Sequence, residues 1–207
     1  LAFMRNPRIY QNQSLNVGDI LQLNDDAFGH TVRVLRLKND DPIRLFNGKK
    51  FKDAEGEFQG KLINVSKKRA DVEIISFQVK KIESPVNIHL GQAISRGDRM
   101  DFTLQKSVEL GVNTITPLFT ERCGVKLSGE RLAKRREQWQ KIVISACEQS
   151  GRCTVPIVTE PILLSQWLEQ ECSALKINLH PNAKHSIMTI PHTQIEQTSV
   201  KLLIGPE

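Results

Sequence analysis

Pro85–Phe119 reads "PVNIHLGQAISRGDRMDFTLQKSVELGVNTITPLF", and the spacing of its apolar residues changes twice along the way. Val86–Ile94 alternates as a strand does, with Ile88 and Leu90 on one face. Asp98 stands where a helix N-cap belongs, Arg99–Leu110 keeps helical spacing, and Gly111 suits the position just past the helix end. Val112–Phe119 then returns to strand, interrupted by Pro117 near its end. A strand–helix–strand unit of this kind implies a parallel sheet with right-handed crossovers. The same alternation continues downstream. Ser128 can cap a long helix that runs to Ser150, with Gly151 beyond it, and Leu132, Trp139, Ile142, Val143, Ala146 and Cys147 form one apolar stripe on it. A short strand near Val155–Val158, a helix around Leu163–Glu169, a strand Leu175–Leu179 and a last strand Val200–Ile204 complete an α/β pattern.

Upstream the pattern is different. To about Phe77 the chain reads as short strands with tight turns: Ile20–Leu23, Ile43–Phe46 running into the hairpin signal Asn47-Gly48, then Phe58–Val65 and Ala70–Ile75 joined at Ser66-Lys67-Lys68. One small helix, Asp25–Leu35, carries His30, Arg33 and Arg36. Short strands with a single small helix predict a compact barrel. The expected organisation is a first domain over residues 1–78, an exposed linker over 79–84 containing Lys80, Lys81 and Glu83, and a second domain over 85–207.

The chain has 207 residues and a formal charge of +6, too moderate to matter except through its distribution. Between 122 and 136, Arg122, Lys126, Arg131, Lys134, Arg135 and Arg136 face the single acid Glu130. Such a segment is either a solvated helix face or a ridge for phosphates. Cys123, Cys147, Cys153 and Cys172 show no C-x-x-C spacing, and His89, His180 and His192 lie far apart, so no metal site is expected and the thiols read as reduced. The longest apolar run is far short of a membrane span, and Met4–Arg8 lacks the apolar core of a signal peptide, so the expectation is a cytoplasmic protein with no membrane partner.

The glycine fingerprints of dinucleotide and P-loop sites are absent, as are G-x-S-x-G and H-E-x-x-H. Two strand-end turns remain: Leu179-His180-Pro181, and Gly205-Pro206-Glu207 after "KLLI" (Lys201–Ile204). Past the carboxyl end of a strand is where α/β sheets bind ligands, and a proline-fixed turn offers backbone groups that can read an adenine edge. On the helix after Arg96-Gly97-Asp98, Arg99 and Lys106 share a face, and guanidinium groups at a helix N-terminus oppose its dipole. That placement favours a bound polyanion.

The stretches "SRGDRMDFTLQKSVELGVNTITPLFTERC" (Ser95–Cys123), "QWQKI" (Gln138–Ile142), "ACEQSGR" (Ala146–Arg152), "LHP" (Leu179–Pro181) and "LLIGPE" (Leu202–Glu207) resemble the bacterial RsmE family, with "PRIY" (Pro7–Tyr10) and "HTVRVLR" (His30–Arg36) matching at the amino end. Members of that family methylate N3 of a uridine in 16S ribosomal RNA with S-adenosylmethionine. The resemblance implies an N-terminal PUA-like β-barrel, a SPOUT-type trefoil-knot methyltransferase domain and a homodimer acting on the small ribosomal subunit. It also places one wall of the cofactor pocket at Leu179, His180, Pro181, Ile204, Gly205, Pro206 and Glu207. The family continues beyond Gly-Pro-Glu, so the resemblance leaves the knot and the opposite wall of the pocket incomplete within these 207 residues, and puts the activity of the chain by itself in doubt. RNA would meet Arg33, Arg36, Arg96, Arg99, Lys106, Arg122 and Lys126. N3 methylation needs no cysteine nucleophile, so Cys123 and Cys147 read as small buried residues, and Trp139 as core. Tyr10, the one tyrosine, is a candidate for stacking on a base. A base is required to take the imide proton, and the sequence leaves His180, Glu121 or a group beyond Glu207 open for it. The alternative class is a non-catalytic RNA-binding or ribosome-assembly protein, which the same basic ridge and RNA-binding module would suit. A nicotinamide-dependent oxidoreductase is disfavoured by the missing glycine fingerprint.

Overall fold

Two units divide the chain in the computed structural model, which describes residues 6–121, 128–180, 182–183, 186–189 and 199–205. One unit is Leu1–Ile82 together with Cys147–Val155; the other is Glu83–Ala146 together with Pro156–Glu207.

The first unit is built from strands β1 (Arg8–Tyr10), β2 (Ile20–Gln22), β3 (Pro42–Phe46), β4 (Gly56–Ile63) and β5 (Asp71–Val79). They form one sheet in the order β1-β3-β4-β5-β2, parallel at β1–β3 and antiparallel elsewhere. β1 and β2 lie at the two ends of this path, so among the described residues the sheet of the expected barrel is a curled half-barrel. Alternate residues of β3, β4 and β5 point inward, and Ile43, Leu45, Phe58, Leu62, Val72 and Ile74 pack with Ile9 and Phe28 as the core. β1 escapes sequence reasoning because three residues carry no measurable alternation.

Two local expectations change. The predicted helix over Asp25–Leu35 is one α-turn, α1 (Asp25–Phe28), capped by Asn24 Oδ1 accepting from the Ala27 amide at 2.9 Å, followed by a π-helical stretch Gly29–Val34. Thr31 Oγ donates to the carbonyl of Ala27 at 2.7 Å inside this stretch, a side-chain competitor for helix hydrogen bonds. β3 and β4 do form a hairpin, but over residues 47–55 rather than a two-residue Asn47-Gly48 turn, and a small Phe51/Ala54 bridge tightens the loop. Tyr10 is half-buried with its ring 5.6 Å from that of Phe46, edge to face.

A buried ion cluster closes this unit. Glu57 meets Arg8 at 2.7 Å, Arg44 at 3.3 Å and Lys80 at 3.5 Å. Arg8 also donates to the carbonyls of Cys147 at 2.6 Å and Arg152 at 3.1 Å, and Tyr10 donates its amide to Glu148 at 2.9 Å. "PRIY" and "ACEQSGR" are thus two halves of one polar joint. Burial alone would raise the Glu57 carboxyl; the Arg8 hydrogen bond and the charges of Arg8, Arg44 and Lys80 outweigh it and hold the group below the ordinary carboxylate range. Glu148 goes the other way, raised by burial despite the Tyr10 amide and the nearby His30 and Arg8.

The second unit holds β6 (Asn87–Ala93), α2 (Asp98–Glu109), β7 (Thr114–Phe119), α3 (Gly129–Ser150, its last residues belonging to the first unit), β8 (Ile157–Val158), β9 (Ile162–Leu163), α4 (Leu164–Glu169), β10 (Leu175–Asn178) and β11 (Ser199–Ile204). The sheet is parallel throughout, in the order β10-β11-β6-β7-β8, with β9 also pairing β7. Trp139 and Val143 of α3 are buried, as their spacing predicted, whereas Leu132 and Ile142 are half-buried; Met100, Leu104 and Val108 of α2 are buried too. Gly111 and Gly151 take φ of 96° and 88°, the left-handed backbone that ends each helix. Gly97, not Asp98, is the N-cap of α2, with φ of 56°; Asp98 is instead the first helical residue, placing its charge on the dipole.

Pro117 does not break its strand. Ile115 accepts from Thr159 on one side of β7 and Leu118 accepts from Ile94 on the other, so residues 115 and 117 face β8 and β9. β8 pairs with Thr114 and Ile115, β9 with Leu118 and Phe119, and the neighbouring edge is interrupted between them. The proline sits at that interruption, away from a continuous ladder, where a residue without an N–H is tolerated in a strand.

Candidate cofactor-binding site

The topology places a crevice at one end of the sheet. From β6 the chain moves outward through β7 to β8 and β9, then crosses to β10 on the far side and returns as β11 between β10 and β6. Strand order therefore reverses at β6/β11, and ligand sites of open α/β sheets lie at such a reversal, off the carboxyl ends of the strands. A cavity of about 840 Å³ occupies that position. Ala93, Phe119–Glu121, Leu163–Ser165 with Leu168, Asn178–His180 and Leu203–Gly205 line it, the carboxyl ends of β6, β7, β9, β10 and β11 in turn.

Four of the predicted cofactor residues meet here: Leu179, His180, Ile204 and Gly205. Pro181, Pro206 and Glu207 lie outside the described residues. Sequence reasoning missed Thr120, Leu164, Ser165, Leu168 and Asn178; the strand-end rule that found 179–181 and 205–207 points equally to Thr120 after β7. Thr120 Oγ is buried and has no hydrogen-bond partner, an open polar atom on a residue that lines the cavity. Apolar walls from Leu163, Leu164, Leu168, Leu203 and Ile204 suit a purine face, while Thr120, Ser165, Asn178 and the strand-end backbone suit ribose and amino-acid groups. The set fits S-adenosylmethionine.

α4 is fastened beneath this cavity from the sheet side. Trp167 is buried and lies over Gly91, where a Cβ would come within 2.6 Å of its Cζ2. Lys201 Nζ donates to the Trp167 carbonyl at 2.8 Å and sits 4.1 Å above the indole ring, a cation at the carboxyl end of a helix. Burial lowers the Lys201 ammonium from its ordinary value, and Lys176 adds to this against an opposing contribution from Cys172. His89 packs edge-on to Trp167 at 5.7 Å and bonds Thr116 Oγ at 2.8 Å, which bonds Thr159 Oγ at 2.8 Å. Burial, and then the charge of Lys201, lower the His89 imidazole.

The predicted RNA residues fare unevenly. Arg96 and Arg99 are exposed in the loop after β6 and the first turn of α2, on the chain leaving the cavity-lining Ala93. Lys106 is bound to Glu109 at 2.6 Å and lies over the Phe102 ring at 5.7 Å, so its charge is matched within its own helix. Arg33 and Arg36 are exposed on the first unit, Arg33 packing over Phe28 at 5.2 Å. Arg122 and Lys126 lie outside the described residues, as does Cys123. On α3 the basic run divides: Arg131 and Lys134 are exposed, while Arg135 packs on Trp139 at 5.6 Å and Arg136 pairs with Glu160 at 3.1 Å. In "QWQKI", Gln140 binds both the Pro156 carbonyl and the Val158 amide at 2.9 Å, pinning β8. Among the described residues there is no cluster of metal ligands and no helix long and apolar enough to cross a membrane.

Comparison with known proteins agrees with this geometry. Residues 82–207 match the RNA methyltransferase domain and residues 23–75 the RNA methyltransferase PUA domain. The chain is 35% identical over 204 residues to ribosomal RNA small subunit methyltransferase E of Buchnera aphidicola subsp. Schizaphis graminum, covering 98% of this chain and 80% of that one. It is 31% identical over 207 residues to the Rickettsia conorii protein of the same name, covering 99% and 79%. A ribosomal RNA small subunit methyltransferase E from Neisseria gonorrhoeae, solved bound to S-adenosylmethionine, superposes with a TM-score of 0.88 at 43% identity, covering 97% and 79%. A Legionella pneumophila structure with the same cofactor bound gives 0.90 at 41% identity, covering 98% and 81%.

Proposed function

We propose, from the premise that this chain belongs to the ribosomal RNA small subunit methyltransferase E family, that it transfers a methyl group from S-adenosylmethionine to N3 of a uridine in 16S ribosomal RNA. The observation that carries the reading is the cavity at the β6/β11 reversal, where strand ends supply backbone groups and α4 supplies an apolar wall.

S-adenosylmethionine supplies an electrophilic methyl carbon on a sulfonium, so the chain has only to position an acceptor in line with the S–CH3 bond. Leu179, His180, Ile204 and Gly205 hold the adenosine end, together with Pro181, Pro206 and Glu207, while Thr120 meets a polar group of the ligand. Uracil N3 lies on the Watson–Crick edge, so the target base enters unpaired or flipped out. Arg96, Arg99, Arg122 and Lys126 face RNA phosphates and the uracil oxygens, where negative charge develops as N3 loses its proton. Arg33 and Arg36 extend the track on a PUA-like RNA-binding module over residues 1–78, joined through 79–84 to a methyltransferase domain over 85–207. A trefoil knot of SPOUT type is consistent with the late insertion of β11 between β10 and β6. The working form is a cytoplasmic homodimer bound to the small ribosomal subunit, and the exposed Phe102 of α2 and Leu110 just past its end offer apolar surface for a second copy.

The test is methyl transfer from labelled cofactor to small subunits lacking the modification, with the product nucleoside identified by mass spectrometry. N3-methyluridine in 16S RNA is the expected product. Cofactor binding without transfer would instead favour a non-catalytic assembly role, and a methyl group at any other atom would overturn the assignment.

A further inference from the structure

Loss of the imide proton needs an acceptor, and the described cavity offers few. Of the described residues that line it, only Glu121 and His180 carry groups that titrate. The histidine is committed elsewhere: its Nδ1 accepts the amide of Asn182 at 3.1 Å, and its carbonyl accepts the amide of Ala183 at 3.0 Å. An imidazole whose Nδ1 receives a backbone N–H carries its own proton on Nε2, and so has no lone pair free to take another. The ring is part of the His180–Ala183 turn that shapes the adenosine wall.

Glu121 differs on each count. It follows Thr120 immediately beyond the carboxyl end of β7, it lines the cavity, its side chain is exposed, and no hydrogen bond or ion pair engages its carboxylate among the described residues. The next six residues, Arg-Cys-Gly-Val-Lys-Leu, add no second acid and no histidine. β7 thereby delivers an acceptor-only group to the same rim as Thr120, whose buried hydroxyl is without a partner. Arg122 follows it directly, a cation suited to a uracil oxygen.

We infer that Glu121 is the general base of the reaction, an assignment that rests on the methyltransferase reading above. The N3–H bond breaks with its proton passing to a Glu121 carboxylate oxygen. The N3 electron pair forms the new N–CH3 bond, and the S–CH3 electrons return to sulfur, giving neutral S-adenosylhomocysteine. One proton is released to solvent when the carboxyl resets. No oxidant, metal or covalent enzyme intermediate enters the balance.

The experiment uses the full-length enzyme with small ribosomal subunits, in single turnover across a pH series, beside calorimetric titration with S-adenosylmethionine. Glu121→Gln should lower the methyl-transfer rate by about 10²–10⁴-fold with cofactor affinity within twofold of wild type. The rate of that variant should climb by about tenfold per pH unit, because only spontaneously ionised imide then reacts, whereas the wild-type profile is flatter. Glu121→Asp should recover part of the rate. His180→Gln and Glu207→Gln should weaken cofactor binding and leave the shape of the pH profile unchanged. A Glu121→Gln enzyme with wild-type rate and profile overturns the assignment, and so does loss of cofactor affinity with the rate intact at saturation, which would make Glu121 a cofactor ligand. Failure of the wild-type protein to bind cofactor or to label RNA would be the separate failure of the parent reading.

Discussion

Replacing Gly91 with alanine should disturb the cofactor cavity from beneath. The new Cβ would stand 2.6, 2.8 and 2.9 Å from three ring atoms of Trp167, and all three belong to a rigid, buried indole rather than to the tip of a flexible chain. Carbon atoms settle at about 3.5–4.0 Å, so Trp167 must retreat by roughly 1 Å. It cannot do so alone, because its carbonyl is tied to Lys201 Nζ at 2.8 Å and its ring to His89. Overpacking of this kind costs about 1–3 kcal/mol, and at about 2–4 °C per kcal/mol for a chain of this size a central value of about 2 kcal/mol lowers the melting temperature by about 4–8 °C. α4 moves with Trp167, taking Leu164, Ser165 and Leu168 out of register with the opposite wall. A gap of that size forfeits a quarter to a half of each contact; about 1–2 kcal/mol in total is about a five- to thirtyfold weaker Kd. Differential scanning fluorimetry and calorimetric titration of the full-length enzyme with S-adenosylmethionine read both quantities. Adding Trp167→Phe to Gly91→Ala should restore part of the affinity, giving a coupling that additive effects cannot. A Gly91→Ala protein with unchanged melting and unchanged Kd, or a strictly additive double variant, would refute the chain of contacts from β6 through Trp167 to the cavity.

Glu57→Gln should cost about 3–5 kcal/mol at neutral pH, since it strands the buried Arg8 charge. The Glu57 carboxyl is held below its ordinary value, so its contribution is fully present above about pH 4.3 and disappears as pH falls through the lower folded value. Urea titrations of the two proteins should therefore converge in acid, and a gap that stays constant would contradict the ion cluster. His89, lowered by burial, resists protonation in the folded state; relative to His89→Gln, wild type should lose stability as pH falls below about 6.5, and identical pH curves would count against its burial beside Lys201. Arg96→Gln combined with Arg99→Gln should reduce the salt slope of RNA binding by about two, measured by filter binding from low to moderate salt; an unchanged slope would mean that these exposed guanidinium groups meet no phosphate.

Much of the second unit is legible from sequence because a parallel sheet flanked by helices writes its periodicities locally. Gly111 and Gly151 end their helices where predicted, Trp139 and Val143 are core, and the strand-end turns together with the family resemblance pointed to four of the pocket residues. Sheet order was not legible, since nothing in Val200–Ile204 says that the last strand enters between β6 and β10. Leu164 and Leu168 read as an ordinary amphipathic pair, and their role as a cavity wall depends on Trp167 finding a glycine on another strand. In the first unit, Asn47-Gly48 carries a strong two-residue turn signal, but the longer loop won because Phe51 packs on Phe58 and Phe77 at 5.2 and 5.0 Å. The basic run on α3 shows the same limit. Charge counts alone could not separate Arg135 and Arg136, held by Trp139 and Glu160, from the solvent-facing Arg131 and Lys134.

The joint between β1 and the turn after α3 also fixes an order of events during synthesis. Arg8 finds its carbonyl acceptors at Cys147 and Arg152, residues made 139 and 144 positions later. At about 5–20 residues per second, ribosomes need roughly 4–14 s after Ile82 to reach Cys153, and until then the backbone acceptors of Arg8 do not exist. The first unit is therefore a nascent domain that waits, and a point of vulnerability to proteases and chaperones lies in that pause. A fragment stopped at Ile82 would hold the pause open permanently, with a guanidinium that lacks its three backbone acceptors at Cys147, Glu148 and Arg152.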